Sequence, residues 1–275
     1  MIPPGLLPHA ELLLVLGLFL FYLHDAARLL HFDDLIVSGC RRGWDVTADA
    51  LLEVRGRFLW LPSPLLPMRP QFRAGWLHAP RSGGEAGKAA ASVDSARALD
   101  AFVRPLWPIR VGCMLVAACL LVALPAILLG GRDPVQLLAV LATSYLLTLA
   151  MLLIVLRRRR VLGWTRRQLA GLAVEVLLCP PYAINLFRRL CQHRGLRGDP
   201  LDFAARTLDR EQQQRLRRDI ERRLSLLGLV DDQTDAPDAS HVANAANAAG
   251  DHNAGDRVDA ISLRSARQRI ASTLP

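Results

Sequence analysis

Two long apolar runs joined by a short turn constrain this chain more than any other part of its sequence. The runs cover residues 111–129 and 135–156, and neither contains an Asp, Glu, Lys, Arg or His. At about 1.5 Å per residue, a helix of either length crosses the roughly 30 Å hydrocarbon core of a bilayer. In the turn, Asp133 and Pro134 suit the N-cap and first position of a helix. The sequence therefore predicts a transmembrane helical hairpin within residues 101–160.

The arginines beside this hairpin predict its orientation. The turn contains one arginine, Arg132, whereas four follow the second run directly: Arg157, Arg158, Arg159 and Arg160. Cytoplasmic flanks of membrane helices collect Lys and Arg. We therefore expect the turn to face outward and both open ends of the hairpin to face the cytoplasm, where the four arginines can contact anionic lipid headgroups.

A third apolar run predicts a membrane anchor helix in residues 1–30. Residues 12–23 carry no charge, no Lys or Arg precedes them, and many arginines follow. This pattern favours an uncleaved anchor with the N-terminus outside. The helix is expected to reach about Leu30, with His24, Arg28 and His31 on one face. That face is interpreted as a solvated helix end with Arg28 reaching headgroups, and a metal or proton site is the alternative.

Composition narrows the class of protein. The net charge is +9, but the positive residues cluster beside apolar runs, so we expect contact with headgroups and no nucleic-acid binding. Basic residues are nearly all arginine, and alanine and leucine are abundant, which is typical of a bacterial chain from a GC-rich genome. The five cysteines form no CxxC or Cys/His pattern. We therefore predict no disulfide framework, no metal site and no cofactor.

Residues 31–78 predict a small cytoplasmic β-rich unit. Short segments at 35–37, 44–46, 51–54 and 58–61 have the length and partial alternation of strands. Four prolines follow in nine residues, which forbids a helix and favours an extended run. Aromatic rings and guanidiniums then alternate, and the candidates for membrane or partner contact are Trp60, Arg69, Arg73 and Trp76. The alternative is a loop that covers the small sheet.

Residues 161–198 allow two interpretations. The stretch 168–187 is long enough to cross a bilayer, but Glu175 and a double proline interrupt it, and arginines flank both ends. A re-entrant or interfacial segment keeps both flanks in the cytoplasm, whereas a fourth crossing does not. Glu175 is expected to pair with a nearby arginine or face headgroup water, and a proton relay or catalytic carboxylate is the alternative.

Three further segments complete the predicted organisation. Residues 79–100 are poor in large apolar side chains and predict a flexible linker. Residues 199–230 predict one amphipathic helix, with Asp199 as its N-cap and Pro200 in its first turn. Its narrow apolar stripe through 201–227 is suited to packing on a protein partner, on a second copy or on the membrane. Residues 231–275 predict a disordered tail.

Together these patterns predict a mainly α integral membrane protein. It has three transmembrane helices, a re-entrant or fourth membrane segment, a cytoplasmic β-rich insertion and a cytoplasmic amphipathic helix. We searched for catalytic motifs and found none. The predicted function is therefore a non-enzymatic subunit or scaffold in the bacterial inner membrane, with most loops and the C-terminus in the cytoplasm. The alternative is a membrane-embedded enzyme or transporter component that uses Glu175 and the arginine-rich face.

Overall fold

The computed structural model describes residues 7–40, 43–49, 51–54, 57–63, 66–76, 95–130, 133–226, 268 and 270–274. The described residues are mostly helical, at 70%, with a small β region and two apolar helices that could span a membrane. This confirms the mainly α fold with a β-rich insertion. Much of the predicted linker and tail, residues 77–94 and 227–267, lies outside the described residues.

The two apolar helices are built differently from helices of a soluble core. One covers Ala96–Gly130 with a mean hydropathy of 2.7 over its most apolar stretch, and the other covers Pro134–Leu162 with 2.4. Only 28% of each stretch is buried within the chain. A core helix of a soluble protein is mostly buried, so these helices expose an unusual amount of apolar surface.

The first of these helices changes its winding along its length. Its segments are α2 at Ala96–Val103, a 3₁₀ turn at Arg104–Leu106, α3 at Trp107–Ala118, a π-helical turn at Cys119–Ala123 and α4 at Leu124–Gly130. Pro125 is the second residue of α4, two residues after the end of the π turn. Because proline lacks an N–H and crowds the turn before it, the extra residue of the π turn relieves that crowding.

The two halves of the hairpin pack closely where a glycine faces a methionine. Helix α5 covers Pro134–Leu162 and packs against α3 and α4. A Cβ added at Gly112 of α3 would lie 2.6 Å from Met151 Sδ of α5. The absence of a side chain at Gly112 therefore permits this close approach of the two helices.

Capping signals predicted from the sequence are confirmed at two helix starts. Asp133 Oδ1 accepts a hydrogen bond from the Val135 N–H at 3.0 Å, at the start of α5. Asp199 Oδ1 accepts one from the Leu201 N–H, also at 3.0 Å, at the start of a later helix. In both cases a proline follows the cap, where no N–H is needed.

The β region consists of two three-stranded antiparallel sheets, with strand orders β1-β5-β4 and β3-β2-β6. The strands are β1 at Arg28–Leu30, β2 at Asp34–Cys40, β3 at Gly43–Thr47, β4 at Leu52–Val54, β5 at Arg57–Trp60 and β6 at Gln71–Gly75. All four predicted strands occur. The sequence did not predict β1 or β6, which find their partners only through long-range pairing.

Helix α1 ends earlier than the sequence predicted. It covers Leu7–Ala26 and does not extend to Leu30, because residues 28–30 pair with β5 as strand β1. The expected helical face of His24, Arg28 and His31 is therefore wrong. Sheet hydrogen bonds replace the helical ones at this point.

Residues 161–198 form three short helices with no continuous helix across 168–187. They are α6 at Arg166–Leu178, α7 at Pro181–Ile184 and α8 at Leu186–Arg194. The 13 residues of α6 extend only about 20 Å, which is short of a bilayer core. The break falls at the predicted double proline, and α7 packs against α1 and α3.

The predicted single helix at 199–230 is two helices. Helix α9 covers Pro200–Thr207 and α10 covers Arg210–Leu226. Between them, the Asp209 carboxylate accepts from the Gln212 N–H at 2.8 Å, and Gln212 Oε1 accepts from the Asp209 N–H at 3.2 Å. This reciprocal cap starts α10 as a separate helix, so the single helix predicted for residues 199–230 is interrupted between α9 and α10.

The apolar stripe of these helices packs on the chain itself. Leu201, Leu216, Ile220 and Leu224 are buried, and both α9 and α10 contact strand β3. Helix α8 packs on β6 in the same way. The β region therefore rests on the C-terminal helices, and the predicted protein partner or self-association through 201–227 would have to use the polar face.

Candidate functional site

The four candidates in the β region hold that region together. Trp60 and Trp76 are buried, because strand alternation turns them inward from β5 and the end of β6. Arg69 Nε donates to the Gly39 carbonyl at 2.8 Å, and Arg73 forms a two-point ion pair with Asp34 at 2.8 and 2.5 Å. The hydrogen bonds to Asp34 raise the pKa of Arg73. The tryptophans therefore present no ring to a membrane or partner.

The four consecutive arginines end helix α5. Arg157 and Arg160 are exposed and Arg158 and Arg159 are half-buried. Within the described residues, none of the four side chains makes a hydrogen bond or an ion pair. Their charges are therefore not neutralised within the described part of the chain, and their contact with anionic headgroups stays a prediction.

Glu175 pairs with a nearby arginine, as expected from the sequence, but the pair belongs to a longer chain of ion pairs that the sequence did not predict. Its carboxylate lies 2.6 Å from Arg189 Nη1, and its side chain is 57% exposed. The other end of the same guanidinium binds Asp25, whose side chain is only 2% exposed. One arginine of α8 therefore joins the last turn of α1 to helix α6.

Arg188, the neighbour of Arg189, is the second charged residue at this point. It is 1% exposed and donates to Asn185 Oδ1 at 2.9 Å, while Asn185 donates to the Tyr22 carbonyl at 3.3 Å. Within the described residues, no carboxylate lies within ion-pair distance of Arg188. Burial accordingly lowers its pKa.

Arg28 completes this group, which we name the α1-end cluster: Asp25, Arg28, Glu175, Arg188 and Arg189. Arg28 Nε donates to Gln192 Oε1 at 3.1 Å, and burial lowers the pKa of Arg28. Burial alone would also lower the pKa of Arg189, but its bonds to Asp25 and Glu175 outweigh this and raise it. The cluster holds three arginines and two carboxylates, so one positive charge is in excess.

Hydrogen bonding in the α1-end cluster is incomplete. Three buried polar atoms of the cluster, Asp25 Oδ2, Arg188 Nε and Arg189 Nε, have no hydrogen-bond partner among the described residues, and neither does Nε2 of the adjoining Gln192. Unpaired buried polar atoms are costly, so loss of any one member would leave its neighbours still less satisfied. Substitutions in the cluster are therefore expected to weaken the packing between α1, α6 and α8.

Sequence reasoning treated Asp25 and Arg28 as a solvated helix end, and it treated Arg188 and Arg189 as flanking charges. The available signal was that both groups directly follow apolar runs, where a charge is either at an interface or paired. The sequence could not show that the ends of these two apolar runs contact each other in the fold. No group of three or more His, Cys, Asp or Glu side chains among the described residues could hold a metal ion.

Comparison with protein-family models, curated proteins and solved structures gave no match. The function of the chain is therefore inferred from the chemistry of these residues. Arg189 bridges two carboxylates and so links α1, α6 and α8, and the positive charges near the end of α5 are free of internal partners among the described residues.

Proposed function

We propose that this chain is a multi-pass protein of the bacterial inner membrane. In this proposal α1, the α3–α4 helix and α5 cross the bilayer. The β region with α9 and α10 lies in the cytoplasm and docks a partner protein. The α1-end cluster then connects the membrane helices to this docking unit.

A belt of exposed apolar side chains on the three helices is the observation that carries the proposal. Its members are between 40% and 75% exposed, and they include Leu12, Leu13, Leu14, Phe21, Leu115, Val122, Leu129, Val135, Leu138, Leu146 and Leu153. Water-exposed surfaces of soluble proteins rarely carry so large an apolar patch. A lipid environment makes the same surface favourable.

The connectivity supports one orientation for all three helices. The end of α1 leads into β1, the start of α3 borders the same groove as the β2–β3 hairpin, and α5 returns antiparallel to α3–α4, so its Arg157 end lies on that same side. The described arginines therefore gather on one side of the belt. The tendency of positive charge to remain in the cytoplasm places the β region there.

The cysteines allow a direct test of this topology. Cys40 on β2 is exposed, whereas Cys113 and Cys191 are buried, and burial raises the pKa of the Cys191 thiol to about 12. A membrane-impermeant maleimide should therefore label Cys40 in inverted membrane vesicles and not in intact cells. We expect at least a tenfold difference in labelling between the two preparations.

A matched pair of variants controls this assay. With the half-buried Cys119 and Cys179 replaced by serine throughout, Cys40→Ser should remove the signal, and Gly130→Cys in that background should label in intact cells, since Gly130 is exposed at the opposite end of the hairpin. Equal labelling of Cys40 in both preparations would contradict the orientation. Release of the protein by alkaline carbonate would contradict membrane insertion itself.

The exposed face of α10 supports the docking role. Glu211 pairs with Arg215 and Glu221 pairs with Arg217, which leaves Arg218 and Arg222 without an ion pair among the described residues. This face therefore has a positive surplus on a helix that the β region holds in place. Such a surface fits an acidic partner surface.

Purification from the native host in mild detergent tests the docking role. We expect a stoichiometric partner that is lost in the Arg218→Glu/Arg222→Glu variant, because charge reversal repels an acidic surface. Arg97→Glu, an exposed charge reversal on α2, should retain the partner. Normal function of a protein that purifies alone, or equal partner retention by both variants, would contradict the docking role.

A further inference from the structure

We propose that a groove beside the start of α3 binds the headgroup of a phospholipid that carries both a phosphate and a primary ammonium group. The groove has a volume of about 1250 Å³ and lies between the β2–β3 hairpin, the proline-rich segment, α2, the start of α3 and the α9–α10 junction. This inference rests on the proposed membrane location, because the groove adjoins the end of a proposed membrane helix.

The groove has an apolar wall and is lined by both positively and negatively charged side chains. Trp44, Leu66, Met68 and Val103 supply apolar surface, and Leu66 is 45% exposed. The guanidiniums of Arg69 and Arg110 line the groove, as do the carboxylates of Asp100 and Asp209. Among the described lining residues the formal charges balance, two arginines against two aspartates, which complements a zwitterion better than a simple anion.

The charged groups of the groove retain unused bonding capacity. Among the described residues, Arg110 and Asp100 make no side-chain hydrogen bond or ion pair. Arg69 uses Nε for the Gly39 carbonyl, and Asp209 uses one oxygen for its cap on α10. Arginine suits a phosphate through two parallel bonds, and a carboxylate accepts bonds from a primary ammonium.

The spacing of Asp100 and Arg110 fits such a headgroup. Ten residues of nearly continuous helix separate their backbones by about 15 Å, and the long arginine side chain covers part of that distance. Trp107 lies between them and is 65% exposed, as expected for a side chain at the edge of a bilayer. A lipid headgroup can therefore reach both charges while its acyl chains enter the membrane beside α3.

The chain's own linker is a poor occupant of this groove. Residues 77–94 begin after Trp76 and end beside Ala96, which lines the groove, but they contain few large apolar side chains. They would leave the apolar wall uncovered. A lipid supplies both the charges and the apolar chains.

Lipid titration of the purified, detergent-solubilised full chain tests the proposal. The probes are phosphatidylethanolamine, phosphatidylglycerol and phosphatidylcholine with identical short acyl chains, and the signal is the thermal unfolding midpoint. We expect saturable stabilisation with phosphatidylethanolamine at a concentration about tenfold lower than with the other two. Its primary ammonium donates charge-assisted hydrogen bonds to the carboxylates, whereas the glycerol headgroup offers only neutral hydroxyls and the choline headgroup has no N–H.

Three variants assign the headgroup contacts. Arg110→Gln should weaken the response to all three lipids about tenfold, because each contains the phosphate. Asp100→Asn should weaken only phosphatidylethanolamine, by a similar factor. Arg104→Gln, an exposed arginine on the same helix that does not line the groove, should change nothing.

Equal responses to the three lipids, or responses unaffected by Arg110→Gln, would overturn the proposal. A preference for phosphatidylglycerol would overturn the assignment of Asp100 to an ammonium group. If one of these variants is too unstable to compare, Ala96→Phe provides a second test, because it places a ring in the groove without removing a charge. It should abolish the lipid response, and a retained response would overturn the proposal. None of these outcomes depends on the carbonate-extraction test of membrane insertion, so the two proposals can fail separately.

Discussion

Replacing Arg189 by methionine should destabilise the protein more than any other single change in the α1-end cluster. The substitution leaves the Asp25 carboxylate, whose side chain is 2% exposed, without its ion-pair partner. An uncompensated buried charge costs about 3–5 kcal/mol. In detergent, this should lower the thermal unfolding midpoint by on the order of 10 °C.

Glu175→Gln is the matched control for this prediction. It removes the other partner of the same guanidinium, but the Glu175 side chain is 57% exposed. Exposed ion pairs contribute less than about 1 kcal/mol, so the unfolding midpoint should hardly move. The double variant Asp25→Leu/Arg189→Met should recover most of the lost stability, because it removes the buried carboxylate together with its partner.

Two results would contradict this account of the α1-end cluster. One is an equal loss for Glu175→Gln and Arg189→Met, and the other is no recovery in the double variant. The control also tests the alternative function at Glu175. If Glu175→Gln abolishes a cellular phenotype at unchanged protein abundance, the carboxylate has a role beyond its ion pair.

Arg223→Ala should separate helix α10 from the β region. Arg223 is 3% exposed, donates from Nη1 to the Asp34 carbonyl at 2.7 Å, and lies 4.8 Å from the centre of the Phe58 ring. Asp34 begins β2 and Phe58 lies in β5, so one side chain joins both sheets to α10. Burial lowers the pKa of Arg223 to about 10.

We expect Arg223→Ala to lower the stability of this unit by about 3 kcal/mol, since it leaves a cavity and an unpaired carbonyl. Limited proteolysis with chymotrypsin should then cut α10 at least tenfold faster. Arg222→Ala removes the adjacent exposed arginine and should change the cleavage rate by less than twofold. Equal sensitivity of the two variants would show that Arg223 does not hold the helix.

Arg223→Lys should give an intermediate result. Lysine keeps the positive charge but loses the planar fork that donates to Asp34 while stacking on the Phe58 ring. A lysine variant as stable as the native protein would assign the whole effect to charge.

The sequence could predict elements whose causes are local. The hairpin runs, the caps at Asp133 and Asp199, and the break at the double proline each depend on residues within about one helical turn. The break between α9 and α10 also had a local signal, since Asp209 and Gln212 have the spacing of a reciprocal cap. The continuous apolar stripe through 201–227 favoured a single helix, so the prediction missed this cap.

The candidate site was less predictable because its members meet across the chain. Asp25 and Arg189 are separated by 164 residues, and Arg223 bonds to Asp34 across 189. Strand β1 shows the same limit: residues 28–30 follow an apolar helix and become a strand only because β5 is available as a partner. Pairing energy gained at a distance overrides local propensity.

By itself, the sequence determined where apolar segments long enough for a bilayer lie and where many of the helices begin, because spacing and capping depend on neighbouring residues. Only the tertiary structure decided which charges are buried and which are exposed. Trp60 and Trp76 became core residues, and the apolar stripe of α9 and α10 was covered by β3. The physical reason is that burial and ion pairing depend on which distant segments come into contact. The residues on one face of a helix or strand do not specify which segment will pack against that face.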